Sequence, residues 1–243
     1  MSDALSARQT QILKVLIDEY IETAEPVGSE SLEKKYSLGV SPATVRNEMV
    51  ILTSMGYLRQ PHTSAGRVPS PKAMKFYINQ LMDEWQMSLT DEVKAKEEVW
   101  DARGDIDNLL DEATHSLAQR TRNLAVAALD DDDRVWHAGY SNVFANPEFA
   151  DVGACSNLFS FIEEAQRIHE LFFERVHGES PVEVIFGEEL GWPDFNNLGF
   201  AVTHFSALGR NGALGVIGPI RLSYSTIIPT LRYFRDMIQE IVR

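Results

Sequence analysis

A serine followed by a proline at the head of an amphipathic run constrains this chain more than any other feature. In Ser41-Pro42-Ala43-Thr44-Val45-Arg46-Asn47-Glu48-Met49 the serine hydroxyl can accept from an unpaired N–H of the first turn. The proline, which has no N–H, costs nothing at the first helical position. A helix therefore starts here. Val45, Met49 and Leu52 recur at i, i+4 and i+7 and set its inward direction, which leaves Ala43 and Asn47 almost opposite, flanked by Thr44 and Arg46. Upstream, Ser29 is expected to cap a short helix holding Leu32 and Tyr36, and Ser37-Leu38-Gly39-Val40 reads as a tight turn with Gly39 at positive φ. Two short helices joined by such a turn, the second presenting small and polar first turns outward, are the organisation of a helix-turn-helix. Asn and Arg have the bidentate geometry that matches adenine and guanine edges, so Ser41, Ala43, Thr44, Arg46 and Asn47 are the candidate DNA contacts on this helix.

The flanking segments agree with that reading. Ser6 followed three residues later by Gln9 is a capping-box signature, and a helix over about 7–23 buries Ile12, Leu13, Leu16, Tyr20 and Ile21. It ends at Glu25-Pro26-Val27-Gly28. After the second half of the motif the sequence turns extended, from Gly56-Tyr57-Leu58-Arg59 to Gly66-Arg67-Val68-Pro69, with a Ser-Ala-Gly tip between two short strands. A hairpin at this position is the wing of a winged helix. Arg59, His62, Ser64, Arg67 and Lys72 are its candidate contacts to phosphate or the adjacent minor groove.

Charge separates the chain into two parts. Residues 1–82 hold nine Lys or Arg against eight Asp or Glu, while residues 83–243 hold thirteen against twenty-eight, within a formal net charge of −14. Between 38 and 82, five basic residues face Glu48 alone. That segment is a candidate anion-binding surface attached to a part that repels anions. With 44% hydrophobic and 24% charged residues the chain can pack a core and is neither fibrous nor disordered. The single Cys155 rules out an internal disulfide and a multi-cysteine zinc site, and points to a reducing, cytoplasmic setting. Met1-Ser2-Asp3-Ala4 opens no secretory signal, and no apolar run reaches membrane-spanning length.

From Asp83 to Asn123 the chain favours helix, with Ile106, Leu109, Leu110, Ala113 and Leu117 on one face and an interruption at Gly104; a linker helix packing on the next domain is expected, with a pairing seam between subunits as the lesser possibility. Strands follow at 124–129 and 135–140, then helix over about 156–177. Three further strands are expected at 182–186, 198–206 and 213–217, and a last helix at about 225–242. This alternation is α+β, with domains at 1–82, 83–123 (the linker) and 124–243.

Other chemical signals are weak. Asp130–Asp133 lacks the glycine and the ligand spacing of a calcium loop and reads as a solvated turn. His169-Glu170 has Phe173 where a zinc-protease motif needs its second histidine. Gly212, Gly215 and Gly218 lack a phosphate-loop context and serve strand geometry. Cys155 has no local histidine partner. No catalytic residue, metal site or cofactor is expected.

The segments Glu25–Ser29, Ser41–Met49, Gly56–Leu58 and Gln60–Pro69 closely resemble the bacterial heat-inducible transcription repressor family HrcA, nearly without gaps over about 5–82. Gly139–Asn142, Asn146–Phe149, and Leu214–Pro219 followed by Arg221 and Tyr224 are similar to the family's GAF-like domain. The resemblance implies a winged helix-turn-helix joined by the helical linker to a GAF-like regulatory domain. It also implies a homodimer on an inverted-repeat operator upstream of chaperonin genes, kept active by a GroE-type chaperonin and released on heating. The chain departs from the family at one place. A further segment, implicated in dimerisation, usually interrupts the first strands of the GAF-like domain, and only Asp130–Asp133 and Arg134 stand there.

Two rival readings keep part of this. In one, a small molecule in the GAF-like domain controls the same DNA reader. In the other, an enzyme uses the winged helix only to dock, which would require a cleft of clustered titratable groups. With about five cations per subunit on phosphate, a dimer would show a salt slope on the order of −9.

Overall fold

A computed structural model of the chain describes residues 5–177 and 180–242. Met1–Ala4, where no secretory signal is expected, lie outside the described residues. The chain divides into two compact units, Met1–Asp83 and Glu84–Arg243.

In the first unit, helix α1 spans Ala7–Thr23, and the expected capping box is present: Gln9 N–H donates to Ser6 Oγ while the Gln9 amide oxygen accepts from Ser6 N–H. Its buried residues are Ile12, Leu13, Leu16 and Ile17. Tyr20 and Ile21, expected in the stripe, are only half-buried. Ile17 takes their place because it lies one turn after Leu13, towards the middle of the packed length of the helix. Helix α2 spans Ser29–Tyr36 and is capped by Gly28; the expected Ser29 cap is instead the first helical residue, and its neighbour Ser31 donates to the Gly28 carbonyl. Gly39 takes φ +70° in the connecting turn. Helix α3 spans Pro42–Ser54 with Ser41 as its cap. Strands β1 (Leu58–Arg59) and β2 (Val68–Pro69) pair antiparallel, and helix α4 (Pro71–Phe76) continues as a wider π turn to Leu81. Helix α3 packs on α1 and α2, and Val45, Met49 and Leu52, Leu32 and the α1 stripe are buried, as are Tyr57, Met74 and Tyr77. Tyr77 donates its hydroxyl to Asp18 at 2.6 Å, joining the end of this unit to α1.

The second unit is built on a five-stranded antiparallel sheet. Its strands are β3 (Leu124–Leu129), β4 (Val135–Ala138), β5 (Glu183–Phe186), β6 (Leu198–Ala207) and β7 (Arg210–Pro219), in the order β4-β3-β7-β6-β5. All of β3 is buried, as a central strand covered on both faces must be. Leu124 and Val126 face a cluster with Phe161, Phe172 and Phe200. The alternate residues Ala125 and Ala127 point to the opposite face. There, helix α6 (Ile106–Thr121) and the last helix pack on the sheet. Leu109, Leu110, Ala113 and Leu117 of α6 are buried as expected, and Ile106 is half-buried. Ahead of α6 stands α5 (Leu89–Trp100), the two separated by a turn containing Gly104.

Several boundaries differ from the sequence reading, among them β7, which runs Arg210–Pro219 and not 213–217. Strand β4 stops at Ala138, and Tyr140–Val143 form a short helical turn, α7, because Gly139 at φ +94° reverses the chain. The helix expected over 156–177 starts earlier, at Val152, where Asp151 caps it, and breaks at Glu164: α8 is Val152–Glu163, and α9 is Ala165–His169 with a π continuation to Arg175. A short α10 (Gly187–Leu190) follows β5. The last helix, α11, spans Tyr224–Ile241 and contains Pro229. Proline cannot donate to the carbonyl one turn back, that of Ser225. The N–H of Trp85 fills that position at 2.8 Å.

The aspartate run is not simply solvated. Asp131 and Asp132 receive Arg210 from the β6–β7 hairpin, and Asp132 also receives Arg134, whose other arm reaches Asp107 of α6. The hydrogen bond from Arg210 holds the Asp131 carboxyl below its ordinary range, and that from Arg134 does the same for Asp132. His169 Nε2 lies 3.0 Å from the Asp130 carbonyl and Phe173 packs against its ring. Cys155 is buried, with Sγ donating to the Phe149 carbonyl. Gly212, Gly215 and Gly218 all lie within β7.

Candidate nucleic-acid interface

The candidate interface is built on the first turns of α3. Ser41 Oγ accepts from Thr44 N–H at 3.2 Å and lies 3.0 Å from Thr44 Oγ1, so both hydroxyls are engaged in holding the helix start. Thr44 is half-buried, whereas Ala43, Arg46 and Asn47 are exposed on the side opposite Val45, Met49 and Leu52. The one acid of the basic segment, Glu48, is drawn to the flank. It accepts from the Gln9 amide at 3.1 Å and lies 3.8 Å from Arg8, so α1 takes it away from the face that carries Arg46. That leaves the outward face with cationic and amide groups and no carboxylate, the balance that favours an anionic ligand.

The wing is a short ladder with an internally bonded tip. Arg59 pairs with Val68 and Leu58 with Pro69. Beyond them the Gln60 amide donates to the Thr63 and Ala65 carbonyls at 2.9 and 3.0 Å, and His62 Nδ1 lies 3.2 Å from Ser64 Oγ. Arg59, His62 and Ser64 are all exposed. The base of the wing is locked from behind, because Val27 and Arg67 exchange backbone hydrogen bonds at 2.9 and 2.8 Å. Gly66 is required at that crossing: a Cβ there would lie 2.4 Å from the Val27 carbonyl oxygen.

Two of the expected phosphate contacts bond within the unit: Arg67 is half-buried and Lys72 lies on the surface. The half-buried Arg67 donates through Nε to Thr53 Oγ1 at 3.1 Å, which ties the wing to the last turn of α3. Lys72 donates to the Met55 carbonyl at 3.0 Å and sits 4.3 Å above the Tyr57 ring, where it neutralises the carbonyl end of α3. Sequence spacing puts Arg67 in the wing and Lys72 just after it, and the packed structure shows what each side chain meets.

Between these parts lies a cleft of about 210 Å³, lined by Gly28 and Ser29 at the start of α2, Arg46 of α3, and Gln60, Ser64 and Arg67 of the wing. Helix and wing thus contribute to one concave surface. Neither the glutamine nor the start of α2 was among the candidate contacts. The residue types give no signal there, since the α2 start joins the surface only through the Val27–Arg67 crossing.

A helix-turn-helix whose second helix presents arginine and asparagine beside a basic wing defines a DNA-binding, winged-helix transcription regulator. Residues 4–83 match the winged helix-turn-helix transcription repressor family described as HrcA DNA-binding, and residues 45–228 match the HrcA protein C-terminal domain. The chain belongs to the HrcA family of transcription repressors. Among its relatives is the heat-inducible transcription repressor HrcA of Carboxydothermus hydrogenoformans, 25% identical over 338 aligned residues that cover 98% of each chain. That of Alkaliphilus metalliredigens is 44% identical over 123 residues, 51% of this chain and 36% of the relative. Because the first alignment runs to 338 positions and this chain has 243 residues, the relative carries a long segment with no counterpart here. A crystal structure described as that of a hypothetical protein shares the fold, with a TM-score of 0.75 at 18% identity over 98% of this chain and 99% of that one.

The second unit is the GAF-like α+β domain expected from the resemblance. Counted from its own first strand, its sheet runs 2-1-5-4-3. The family match favours repression over the ligand-controlled alternative. Phe161, Phe172 and Phe200, fully buried, pack together in the core cluster on one face of the sheet. Among the described residues, no helix is long and apolar enough to cross a membrane and no cluster of metal-ligating side chains occurs.

Proposed function

We propose that this chain is a heat-inducible repressor that binds an inverted-repeat operator in chaperonin promoters as a homodimer, in the cytoplasm. Arg46 and Asn47 read base edges in the major groove, and Ala43 lets the helix approach them closely. Ser41 and Thr44 fix the start of the helix against the backbone. Arg59, His62 and Ser64 meet the sugar-phosphate chain or the adjacent minor groove, while Arg67 and Lys72 hold the wing at the height that allows it. The observation that carries this reading is the shared cleft of α3 and wing, with Arg46 on one wall and Ser64 on the other.

Dimerisation is supported by α5. Leu89, Val93 and Trp100 are 79%, 55% and 43% exposed along that helix, at the spacing of one helical face. Pairing through this stripe would supply the two-fold axis that an inverted repeat demands, without the segment the longer relatives carry. Release on heating needs only a marginally stable active state whose population a GroE-type chaperonin raises by binding it.

The test is fluorescence anisotropy with an inverted-repeat chaperonin promoter site, one isolated half-site and a scrambled duplex, at rising temperature with and without the chaperonin. Preference for the inverted repeat, lost on heating and restored by chaperonin, is expected. Equal affinity for all three duplexes would overturn the reading.

A further inference from the structure

Two large aliphatic side chains of α3 are exposed, Val50 and Ile51, and Val50 is the one whose direction falls between those of Arg46 and Asn47. Val50 is 52% exposed on α3, whereas Val45, Met49 and Leu52 of the same helix are 0%, 4% and 0% exposed. It follows Arg46 at i+4, Asn47 at i+3 and Ala43 at i+7, so it continues the outward face one turn deeper into the helix. We infer that Val50 is a specificity-determining residue that packs on the 5-methyl group of a thymine in the major groove. This rests on α3 being the helix that enters that groove.

Chemistry narrows the choice of ligand to that one group. Along the floor of the major groove every exocyclic group of the bases except one is a hydrogen-bonding group, which an isopropyl group would strip of water without replacing. The exception is the thymine methyl. Val50 has no polar atom and is β-branched, so in a helix its two methyl groups are held in one dominant rotamer and little freedom is lost on contact. Arg46 and Asn47 beside it make directional bonds to neighbouring bases, and Val50 adds discrimination of thymine from cytosine at the adjacent position. Ile51, 42% exposed, lies about 100° further round the helix, beyond Asn47 and towards Thr44.

The experiment starts from an operator selected out of a random duplex pool by the full-length protein. Each thymine of one half-site is replaced in turn by deoxyuridine, which removes the methyl and leaves pairing and O4 intact. Wild-type protein should lose about fourfold in affinity at one such position, the value of one buried methyl group. Val50→Ala should bind thymine and uracil at that position equally and keep its Asn47-dependent preference elsewhere, and Val50→Thr should fall between. Circular dichroism of Val50→Ala is expected to show an intact fold, since the side chain supports no core.

Uniform response of wild type and Val50→Ala across all thymines would overturn the inference, as would transfer of the effect to Ile51→Ala. If no operator emerges from the pool at all, the recognition-helix reading itself has failed, and the two results cannot be confused.

Discussion

Arg67 Nε donates to Thr53 Oγ1 at 3.1 Å, and that hydroxyl donates onward to the Met49 carbonyl at 2.7 Å. The wing is thereby fastened to the helix it accompanies, through a side chain that the sequence suggested would point at phosphate. Thr53→Val removes the link without removing charge. It should weaken binding to specific and scrambled duplexes alike, by about 1 kcal/mol, with the salt slope unchanged. An anisotropy titration across several salt concentrations checks this; a change in slope would show that Arg67 reaches phosphate itself.

The same internal bonding lowers the expected salt dependence. With Arg67 on Thr53 and Lys72 on the Met55 carbonyl, two of the five basic residues between 38 and 82 bond within the unit. Three cations per subunit would give a dimer a slope of about −5 in log K against log salt, in place of the −9 that five would give. A measured slope near −9 would mean that Arg67 and Lys72 both leave their internal partners on binding.

Base reading is assigned to two residues, and each has a distinct signature. Arg46→Ala and Asn47→Ala should each cost about 1–3 kcal/mol per half-site and flatten the sequence preference at one position. Selection from a random pool with each variant locates that position. Equal losses on operator and scrambled DNA would place both residues on the backbone.

Substituting the exposed stripe of α5 tests the dimer. Leu89→Glu and Val93→Glu introduce charge at positions that are mostly exposed and belong to no buried core. Sedimentation should show a monomer with unchanged circular dichroism, and affinity for the inverted repeat should fall at least tenfold towards that of a half-site. Retention of the dimer would assign the pairing to another face.

Acid sensitivity follows from the aspartate turn. Arg210 depresses the Asp131 carboxyl, and Arg134 and Arg210 depress that of Asp132. Because these pKa values are lower folded than unfolded, the stabilisation is present above the ordinary aspartate range near pH 4 and disappears as the folded groups protonate below it. Wild type should therefore melt higher than Arg210→Ala at about pH 6, and the gap should close as the pH falls towards about 2. A gap independent of pH would assign the effect of Arg210 to packing.

Much of this molecule is written locally. The capping box at Ser6 and Gln9, the Ser41-Pro42 helix start, the positive φ of Gly39 and the inward set of Val45, Met49 and Leu52 all arise from contacts within a few residues, so spacing and residue type determine them. The exposed Arg46 and Asn47 were legible for the same reason, being simply what the inward set leaves opposite. Other features belong to pairs far apart in the chain. Glu48 is drawn aside by Gln9, Arg67 turns back to Thr53, Trp85 supplies the N–H that Pro229 lacks, and Arg210 neutralises the aspartates after β3. Composition showed that these charges and gaps existed. Which partner answers each one depends on which segments folding brings within about 3 Å, and only tertiary structure decides that.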